Sequence, residues 1–243
     1  IVTDNQQPEF LNEFVTQGLC DADKIRVVDH REIFAGYEQH LPTFNTRSIE
    51  SMLWNIQNLS DYFIYLNDDF FFNAEAKIED FLESDSIVTY GHWKSCLSYK
   101  TKLTYRKFLN KHFNKPIQPG HVIAQMLGAD ILGFKEFFEI HHYPHCVDRK
   151  ILSEYFLSHP DLLETQIKYK FRSVEQLNPI SLMNHLKIQA NQAVLKPDLD
   201  LAYLKNAESL NAFVSALNQD NIKYGCIQSL DQLSQADAEQ VKN

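Results

Sequence analysis

Two adjacent carboxylates, Asp68 and Asp69, stand between two of the most hydrophobic stretches of the chain, in the segment FIYLNDDFFFN at 63–73. Asn67 precedes them, so three oxygen-bearing side chains follow an apolar run directly. Carboxylate and amide oxygens are the ligands that hard cations such as Mg²⁺ and Mn²⁺ prefer. The spacing therefore predicts a site where Asp68 and Asp69 hold a divalent cation against a diphosphate. The alternative is a polar turn that merely ends a strand.

A histidine-rich stretch, EIHHYPHCVDRK at 139–150, is the second candidate site. Pro144 is typical of the first turn of a helix, which would leave His142 just before the helix N-terminus. Backbone N–H groups there attract anions such as phosphate, and the same positive end keeps an imidazole neutral and available as a base. Two alternatives stay open: a zinc site formed by His142, His145 and Cys146, or histidines that lie at the start of a helix without a functional role.

A single arginine is the third candidate. Arg172 lies in YKFRSVEQ at 169–176, between two segments predicted as helices. Charged side chains are solvated by default, so an isolated arginine is usually only a surface charge. A planar guanidinium that faces a phosphate can instead donate two hydrogen bonds to it. We therefore expect a role for Arg172 only if the fold brings it to a phosphate site.

The first ninety residues, which must position the acidic segment, alternate between strand and helix signals. Strands are predicted at IVT (1–3), KIRVVDH (24–30), YFIYL (62–66) and SIVTY (86–90). Pro8 and Gly18 bound one predicted helix, and a second at 45–60 repeats apolar residues at helical spacing. Strand and helix in this order are typical of a parallel α/β sheet, and YFIYL, apolar on both faces, resembles a buried parallel strand.

Polar side chains follow three of these strands where each strand ends. They are Asp4, Asn5 and Gln6 after the first, Asp29 and His30 after the second, and Asn67, Asp68 and Asp69 after the third. Ligands of parallel α/β sheets bind beyond the carboxyl ends of the strands. If the sheet is parallel, we expect all three groups to meet at one rim.

From about Lys100 onward the pattern is mainly helical. Helices are predicted at Tyr105–Phe113, Ile131–Phe138, Val147–Leu157, Pro160–Ile167, Glu175–Gln192 and Leu201–Leu217. A short strand, IKYGCIQ at 222–228, and a helix, ADAEQVKN at 236–243, are predicted to close the chain. The chain has no internal repeat, so this series does not indicate a solenoid.

The composition narrows the class of protein. The 243 residues carry a net charge of -9 and are 44% hydrophobic, enough for a substantial core. An acidic surface argues against nucleic acid as a partner. No apolar run reaches the ~20 residues that span a bilayer. The four scattered cysteines favour reduced thiols over a disulfide framework. The segment Ile1-Val2-Thr3 resembles the end of a strand, so we expect residues to precede Ile1.

Together these segments resemble the Stealth family of bacterial capsular-polysaccharide hexose-1-phosphate transferases, to which the metazoan GlcNAc-1-phosphotransferase also belongs. The resemblance is strong over 1–73, which contains IVTDNQQPEFL and HLPTFNTRSIESMLWNIQNLSDYFIYLNDDFFFN, and good over 141–176, which contains HHYPHCVDRKILSEYF and FRSVEQ. IKYGCIQSLDQ is similar to the short fourth region, with Gln228-Ser229 where Asn-Asp is expected. The family's first region would lie before Ile1.

The resemblance implies a reaction and a set of residues. A hexose 1-phosphate, such as GlcNAc-1-phosphate, would pass from a UDP-sugar to a hydroxyl of a capsular polysaccharide acceptor, releasing UMP, with Mg²⁺ or Mn²⁺ as cofactor. The resemblance implies catalytic roles for His142, Arg172 and Asp69, metal binding by Asp68 and Asp69, and substrate binding by Asn67, Asp68, Asp4, Asn5, Gln6, His40 and His145. His142 would be the general base, with His145 as the substitute.

The implied fold is α/β, with a mostly parallel, GT-A-like or Rossmann-like sheet and a largely helical C-terminal half. Residues 1–99 would form a partial nucleotide-sugar-binding core, which residues 100–243 would complete. The expected setting is the cytoplasm, with peripheral association at the inner membrane beside the capsule export machinery. The alternatives are a metal-dependent glycosyltransferase that releases UDP, and an inactive fragment that binds nucleotide-sugar or glycan.

Overall fold

The computed structural model describes residues 1–228, 230 and 233–242, with Gln240 and Lys242 described by their backbone alone. The strands are β1 (Val2–Thr3), β2 (Val28–Asp29), β3 (Tyr62–Tyr65), β4 (Phe70–Phe72), β5 (Leu82–Glu83), β6 (Ser86–Tyr90), β7 (His92–Ser95), β8 (Glu136–Glu139), β9 (His145–Asp148), β10 (Ala193–Lys196), β11 (Ala202–Leu204) and β12 (Tyr224–Ile227). The helices are α1 (Phe10–Thr16), α2 (His30–Ile33), α3 (Thr46–Glu50), α4 (Cys96–Phe113), α5 (His121–Ile131), α6 (Arg149–Ser158), α7 (Pro160–Ile167), α8 (Pro179–Gln189), α9 (Leu210–Leu217) and α10 (Gln235–Lys242).

The strands form small mixed sheets, so the α/β class is confirmed and the predicted mostly parallel sheet is wrong. Among the described strands, β1 pairs with β2, β6 with β10, and β11 with β12 in parallel. The pairs β3–β9, β4–β12, β5–β6 and β7–β8 are antiparallel. An apolar strand sequence does not specify the direction of its partner, which explains the error.

The pairing of β3 with β9 joins the two segments that carry the candidate residues. Tyr65 at the end of β3 faces His145 at the start of β9, and Tyr62 faces Asp148. Since the strands are antiparallel, the turn that follows β3 lies beside the segment that precedes β9. β3 is not the fully buried parallel strand that its sequence suggested, because Ile64 is 40% exposed.

The acidic turn after β3 is fixed from its other side by β4 and β12. Gly225 of β12 lies under Phe71 of β4, and a Cβ atom at Gly225 would approach that ring to 2.1 Å. The Ile227 N–H donates to the Asp69 carbonyl (2.8 Å). The predicted strand at 222–228 is therefore confirmed, and it pairs with the phenylalanines that follow the acidic pair.

Only part of the predicted rim is assembled. β1 and β2 bring the first two polar groups together, and the Asn5 N–H donates to Asp29 Oδ2 (2.8 Å). The third group follows β3, which pairs with β9 and belongs to a different sheet. The three groups therefore do not share one parallel edge, because the parallel sheet that would align them is absent from the described residues.

Some helix predictions are confirmed and others are wrong. The helix predicted at 45–60 is α-helical only at Thr46–Glu50, and the one predicted at Leu201–Leu217 begins with β11. α7 has the predicted bounds. The predicted helix at Ile131–Phe138 is wrong, because α5 ends at Ile131 and β8 begins at Glu136. The predicted start at Val147 is also too early, since Asp148 caps α6 by accepting from the Ile151 N–H (3.1 Å).

The main core draws on both halves of the chain. Val28 and Met52 lie in the same buried cluster as Leu182 and Cys226. The second half contains α4 to α10 and the predicted strand β12, and also the strands β8 to β11, which the helical pattern did not predict. None of the helices in the described part of the chain is long and apolar enough to cross a bilayer.

A buried ion pair ties α8 to the end of β9. The Lys187 ammonium pairs with the Asp148 carboxylate, and the two side chains are only 4% and 10% exposed. Lys187 also donates to the Tyr62 hydroxyl (3.2 Å) and to Gln192 Oε1 (3.3 Å). A buried charge that loses its partner keeps its desolvation cost. The pair therefore locks α8 onto the β3–β9 sheet.

We predict that Lys187→Met lowers the free energy of unfolding by about 3–5 kcal/mol, because it leaves the Asp148 carboxylate buried without a cation. Urea denaturation monitored by circular dichroism measures this change. Lys150→Met is the matched control: its pair with Glu154 joins side chains that are 70% and 65% exposed. The control should change stability by less than about 1 kcal/mol. Equal losses in the two variants would contradict the role given to Lys187.

Candidate active site

A cavity of about 90 Å³ lies between the end of β3, the start of β9 and the segment that carries Arg172. Four residues predicted from the sequence line it: Asn67, His142, His145 and Arg172. The other lining residues are Thr46, Arg47, Glu50, Tyr65, His121, Ile140, Tyr143, Asn178 and Ile180. Residues from five separated parts of the chain therefore converge on one polar cavity.

Asn45, the N-cap of α3, joins the two sides of the cavity. Its side-chain oxygen accepts from the Arg47 N–H (3.2 Å), while its Nδ2 donates to the Tyr169 carbonyl (3.1 Å) and Gln176 Oε1 (2.9 Å). Asn45 is fully buried, so these bonds form away from water. They fix the 169–176 segment against α3, and Arg172 Nη2 then donates to Thr46 Oγ1 (2.8 Å).

Three histidines meet in the cavity. The rings of His121 and His142 stack with centroids 4.7 Å apart. Burial, together with the neighbouring His142, lowers the pKa of His121 and of His145 to about 3. His142 lies at the mouth of the cavity, where its side chain reaches solvent. Partial burial still lowers its pKa, the Asp69 carboxylate opposes that shift, and the Arg172 guanidinium adds to it. The three imidazoles are therefore neutral near pH 7 and available as proton acceptors.

The reason predicted for the neutrality of His142 is wrong. His142 precedes strand β9, and α6 begins four residues after His145. The helix dipole of α6 therefore does not act on His142, and burial beside Arg172 lowers its pKa instead. Pro144 precedes a strand here, because pairing with β3 overrides its preference for a helix start.

A buried polar network beneath the histidines was not predicted from the sequence. The Arg47 guanidinium donates to the carbonyls of Ser173 (3.0 Å), Pro119 (2.8 Å) and Gly120 (3.2 Å). Burial, together with Arg172, lowers the Arg47 pKa to about 10. Since Arg47 keeps its charge at neutral pH, it supplies a fixed positive potential to the cavity.

Glu50 and Tyr65 form the other half of this network. The Tyr65 hydroxyl lies 2.9 Å from Glu50 Oε1 and 2.5 Å from Asn67 Oδ1. Burial raises the pKa of Glu50 to about 7, against the opposing effects of Tyr65, Arg172 and Arg47. Glu50 therefore exchanges a proton near neutral pH, and its Oε2 has no hydrogen-bond partner among the described residues.

Arg47 and Glu50 lie three residues apart on α3, and this spacing was the signal in the sequence that could have indicated a shared site. They stand in a segment whose apolar residues were expected to face the core. The structure buries the polar residues as well: Arg47 is 5% exposed and Glu50 8%. Paired charges on a helix are usually solvated, which is why the pattern did not indicate a site.

The acidic pair lies beside the cavity and not in it. Asp68 and Asp69 line a separate open depression with Ile227 and Gln228. Asp69 Oδ2 accepts a weak bond from Cys226 Sγ (3.4 Å), while Asp69 Oδ1 is buried and has no partner among the described residues. Gln228 thus reaches the acidic pair; Ser229 lies outside the described residues.

The Asp68–Asp69 pair fits a hard cation whose remaining coordination positions are filled by water and by a bound substrate. The Asp69 Oδ1 atom, which is buried and has no hydrogen-bond partner among the described residues, could coordinate such a cation. Mg²⁺ is usually bound by one or two carboxylates, several waters and substrate phosphates, not by a closed protein cage. Among the described residues, no third His, Cys, Asp or Glu lies close enough to complete a set of three with this pair.

The other predicted binding residues lie elsewhere. Asp4, Asn5 and Gln6 form the turn after β1, and none of them lines the cavity. The His40 ring pairs with Glu164 (3.1 Å) and is likewise not among the lining residues. Substrate binding by these four residues stays a prediction.

The zinc site considered for His142, His145 and Cys146 is not formed. His145 and Cys146 are neighbours on β9, so their side chains point to opposite faces of the sheet. Cys146 lines a different, mainly apolar hollow with Phe63. The three side chains therefore do not face one metal.

The family model described as Stealth protein CR2, conserved region 2, matches residues 1–90, which include α3, β3 and the acidic pair. The chain belongs to the Stealth family. The resemblance stated from the sequence is therefore confirmed over the segment in which it was strongest.

Relatives of this Stealth chain extend the match beyond that region. A capsular polysaccharide phosphotransferase from Actinobacillus suis is 40% identical over 236 residues, 91% of this chain and 56% of that protein. Capsular polysaccharide phosphotransferase cps1A from Actinobacillus pleuropneumoniae is 30% identical over 91% of this chain and 57% of its own length. Exopolysaccharide phosphotransferase SCO6023 from Streptomyces coelicolor is 27% identical over 84% of this chain and 32% of its length. The chain thus spans about a third to somewhat over half of the length of these relatives.

We predict that Glu50→Gln gains stability relative to the wild type as the pH rises from about 5 to 8. The folded protein holds the Glu50 proton up to a pKa of about 7, against an ordinary value of 4.5. Between these values the unfolded chain has lost the proton, so wild-type stability falls as pH rises. Glutamine cannot ionise and removes this loss, which is on the order of 2 kcal/mol.

Urea denaturation of both proteins at several pH values measures the difference. The comparison isolates Glu50, because the lowered pKa values of His121 and His145 affect both proteins equally. Glu154→Gln, at a side chain 65% exposed, is the control and should show no pH-dependent difference. A difference between Glu50→Gln and wild type that does not vary with pH would refute the raised pKa.

Proposed function

We propose that this Stealth chain forms the reaction site of an enzyme that transfers a sugar 1-phosphate from a UDP-sugar to a hydroxyl of a capsular polysaccharide. The observation that carries the proposal is the convergence of His142, Arg172 and Asn67 on one cavity. The relatives' names, capsular and exopolysaccharide phosphotransferase, support the reaction type. The proposed sugar is GlcNAc or a similar hexose, and the proposed setting is the cytoplasm, at the inner membrane beside the capsule export machinery.

The proposed reaction exchanges one bond at phosphorus for another. The acceptor oxygen attacks the phosphorus that carries the sugar, while the bond from that phosphorus to the bridging oxygen breaks. UMP leaves with the bridging oxygen, and the acceptor's proton passes to a base. The product is a phosphodiester between the sugar and the acceptor. Such a reaction requires an in-line arrangement, a proton acceptor and fixed positive charge near the phosphoryl oxygens.

His142 is the proposed general base. It lies at the mouth of the cavity, where an acceptor hydroxyl arriving from solvent would meet it. Its lowered pKa keeps it neutral, and the Asp69 carboxylate favours the imidazolium that forms once the proton arrives. His145 lies deeper and serves as the alternative base. Its lower pKa, about 3, makes it the weaker proton acceptor.

The two arginines are proposed to stabilise the negative charge of the phosphoryl group. Arg47 is held by three carbonyls and contributes a charge fixed before substrate binds. Arg172 makes one hydrogen bond to a described residue, to Thr46, so four of its five N–H donors are available for a ligand. Preorganised donors of this kind stabilise charge at the reacting centre without reorganisation during the reaction.

The acidic pair is proposed to hold Mg²⁺ or Mn²⁺, with Asp68 and Asp69 as its protein ligands. A divalent cation bound there would neutralise the charge of a diphosphate. Asp69 lies close enough to His142 to raise its pKa, so the depression and the cavity are neighbours. A donor could therefore lie across both, with the phosphate on its uridine side near the acidic pair and the phosphate that carries the sugar near the arginines.

The leaving group separates this proposal from its alternatives. Incubation of the protein with a panel of UDP-sugars and capsule oligosaccharides, followed by mass spectrometry, should yield UMP and a sugar phosphodiester. Release of UDP would instead support a glycosyltransferase that attacks the anomeric carbon. Binding of UDP-sugars without turnover would support an inactive binding module.

We predict that His142→Ala lowers turnover roughly 10²–10⁴-fold, the range expected when a general base is lost. Release of UMP under saturating donor measures turnover, and the donor KM should change little. His112→Ala, at an exposed position on α4, is the control and should keep wild-type turnover. Near-wild-type turnover in His142→Ala would remove this residue from the mechanism.

An exposed aromatic pair stands beside the cavity. Phe44 and Phe171 are 65% and 69% exposed, and their rings stack with centroids 5.7 Å apart. Phe44 lies two residues before Thr46, and Phe171 directly precedes Arg172; Thr46 and Arg172 both line the cavity. The Phe44 N–H donates to the Lys170 carbonyl (2.9 Å), which holds the two segments together. We propose that this pair stacks on the uracil base of the donor, since base–aromatic stacking needs an exposed ring face.

We predict that Phe171→Ala raises the donor KM, with a smaller effect on turnover. Stacking of a base on an aromatic ring is worth roughly 1–3 kcal/mol, which corresponds to about 5–150-fold in affinity. Titration with UDP measures the same loss without catalysis. Phe113→Ala, at a ring 63% exposed on α4, is the matched control. Unchanged UDP affinity in Phe171→Ala would exclude the stacking role.

A further inference from the structure

His92, His141 and Asp198 form a cluster outside the cavity and the acidic depression. Asp198 Oδ2 lies 2.7 Å from His92 Nδ1, and its Oδ1 lies 3.3 Å from His141 Nε2. One potential ligand atom from each of the three residues lies within 4.8 Å of the other two. This is the one group of three such ligands in the part of the chain that the structure describes.

The three side chains are presented by strand ends that are held together. His92 begins β7 and pairs with Glu139 at the end of β8, two residues before His141. Asp198 follows β10, whose last residue accepts a hydrogen bond from the Gly91 N–H (3.0 Å). A Cβ atom at Gly91 would lie 2.0 Å from the Glu139 carbonyl oxygen, so this close approach requires glycine. The backbone therefore fixes all three positions.

The chemistry of the set favours a zinc-like cation over Mg²⁺. Two imidazole nitrogens and one carboxylate oxygen suit Zn²⁺, whereas Mg²⁺ and Ca²⁺ prefer oxygen ligands alone. Tetrahedral Zn²⁺ with bonds of about 2.0–2.1 Å separates its ligand atoms by about 3.3 Å. The separations in the cluster, from 2.7 Å to no more than 4.8 Å, bracket this value. Small side-chain rotations would therefore suffice to bring the three ligand atoms to the separations found around Zn²⁺.

We propose that His92, His141 and Asp198 bind a divalent transition metal of the zinc class. The side chains are 40%, 50% and 39% exposed, so a fourth position is open to water or to a ligand. His141 directly precedes His142, so the metal fixes the start of the segment that carries the base. The site is separate from the Asp68–Asp69 pair, and metal binding there does not depend on the proposed reaction.

The competing interpretation is a chain of hydrogen bonds without metal. In that case a proton lies between Asp198 and each imidazole, since the carboxylate faces both rings. Metal binding replaces these protons, because a ligating histidine nitrogen must be unprotonated. The two interpretations therefore differ in whether the protein retains a stoichiometric metal.

We predict one Zn²⁺ per chain after dialysis against zinc and then against metal-free buffer, measured by elemental mass spectrometry. The protein loaded with Co²⁺ should show the intense visible absorption of a four-coordinate site. His141→Ala and Asp198→Asn should each weaken Zn²⁺ binding, measured by competition with a chromophoric chelator. The affinity for Zn²⁺ should fall by at least the roughly 10–100-fold that is typical when a residue hydrogen-bonded to a metal ligand is removed, because here a ligand itself is removed.

Two controls distinguish this site from the alternatives. His112→Ala removes an exposed histidine elsewhere, and Cys146→Ser removes the thiol of the zinc site first considered. Both should retain wild-type Zn²⁺ affinity, and circular dichroism should show all variants folded. Binding that does not saturate at one equivalent, or that survives both His92→Ala and Asp198→Asn, would overturn the proposal. These readouts use no enzyme activity, so they stand apart from the test of the proposed reaction.

Discussion

The antiparallel pairing of β3 with β9 is the constraint on which the site depends. Its register sets Tyr65 opposite His145, so the acidic turn after β3 and the histidines before β9 meet at one end of the pair. A shift by one residue would turn every side chain of β9 to the other face and bring Cys146 to the cavity in place of His145. The buried pair of Lys187 with Asp148 stabilises the opposite end of the same two strands.

Burial of polar groups in the cavity accounts for both its chemistry and its cost in stability. The same low-polarity surroundings keep His142 neutral, lower the pKa of His145 and raise that of Glu50. Unpaired buried polar groups reduce stability, so a network of this kind is typical of functional sites. Arg47 has its charge compensated by carbonyl dipoles and remains a fixed cation close to the place proposed for the phosphoryl group.

The structure brings several candidate residues of the sequence together, although the sheet predicted around them was wrong. His142, Arg172 and Asn67 were predicted from their motifs and do meet, whereas Asp68 and Asp69 lie in the adjacent depression. The predicted parallel sheet failed because strand sequences encode burial and period, while partner direction depends on distant pairing. Glu50 and His121 were missed for a related reason: each is an ordinary polar residue on a helix until the tertiary fold buries it.

Attack at phosphorus within the cavity is the central step of the proposed reaction, and an oxygen label tests it directly. A UDP-sugar carrying ¹⁸O in the bond between the sugar and its phosphorus would be turned over by the protein with a capsule acceptor. Attack at phosphorus leaves that oxygen in place, so the label should appear in the sugar phosphodiester and none in the released nucleotide. Recovery of the label in UDP would show attack at the anomeric carbon and contradict the account.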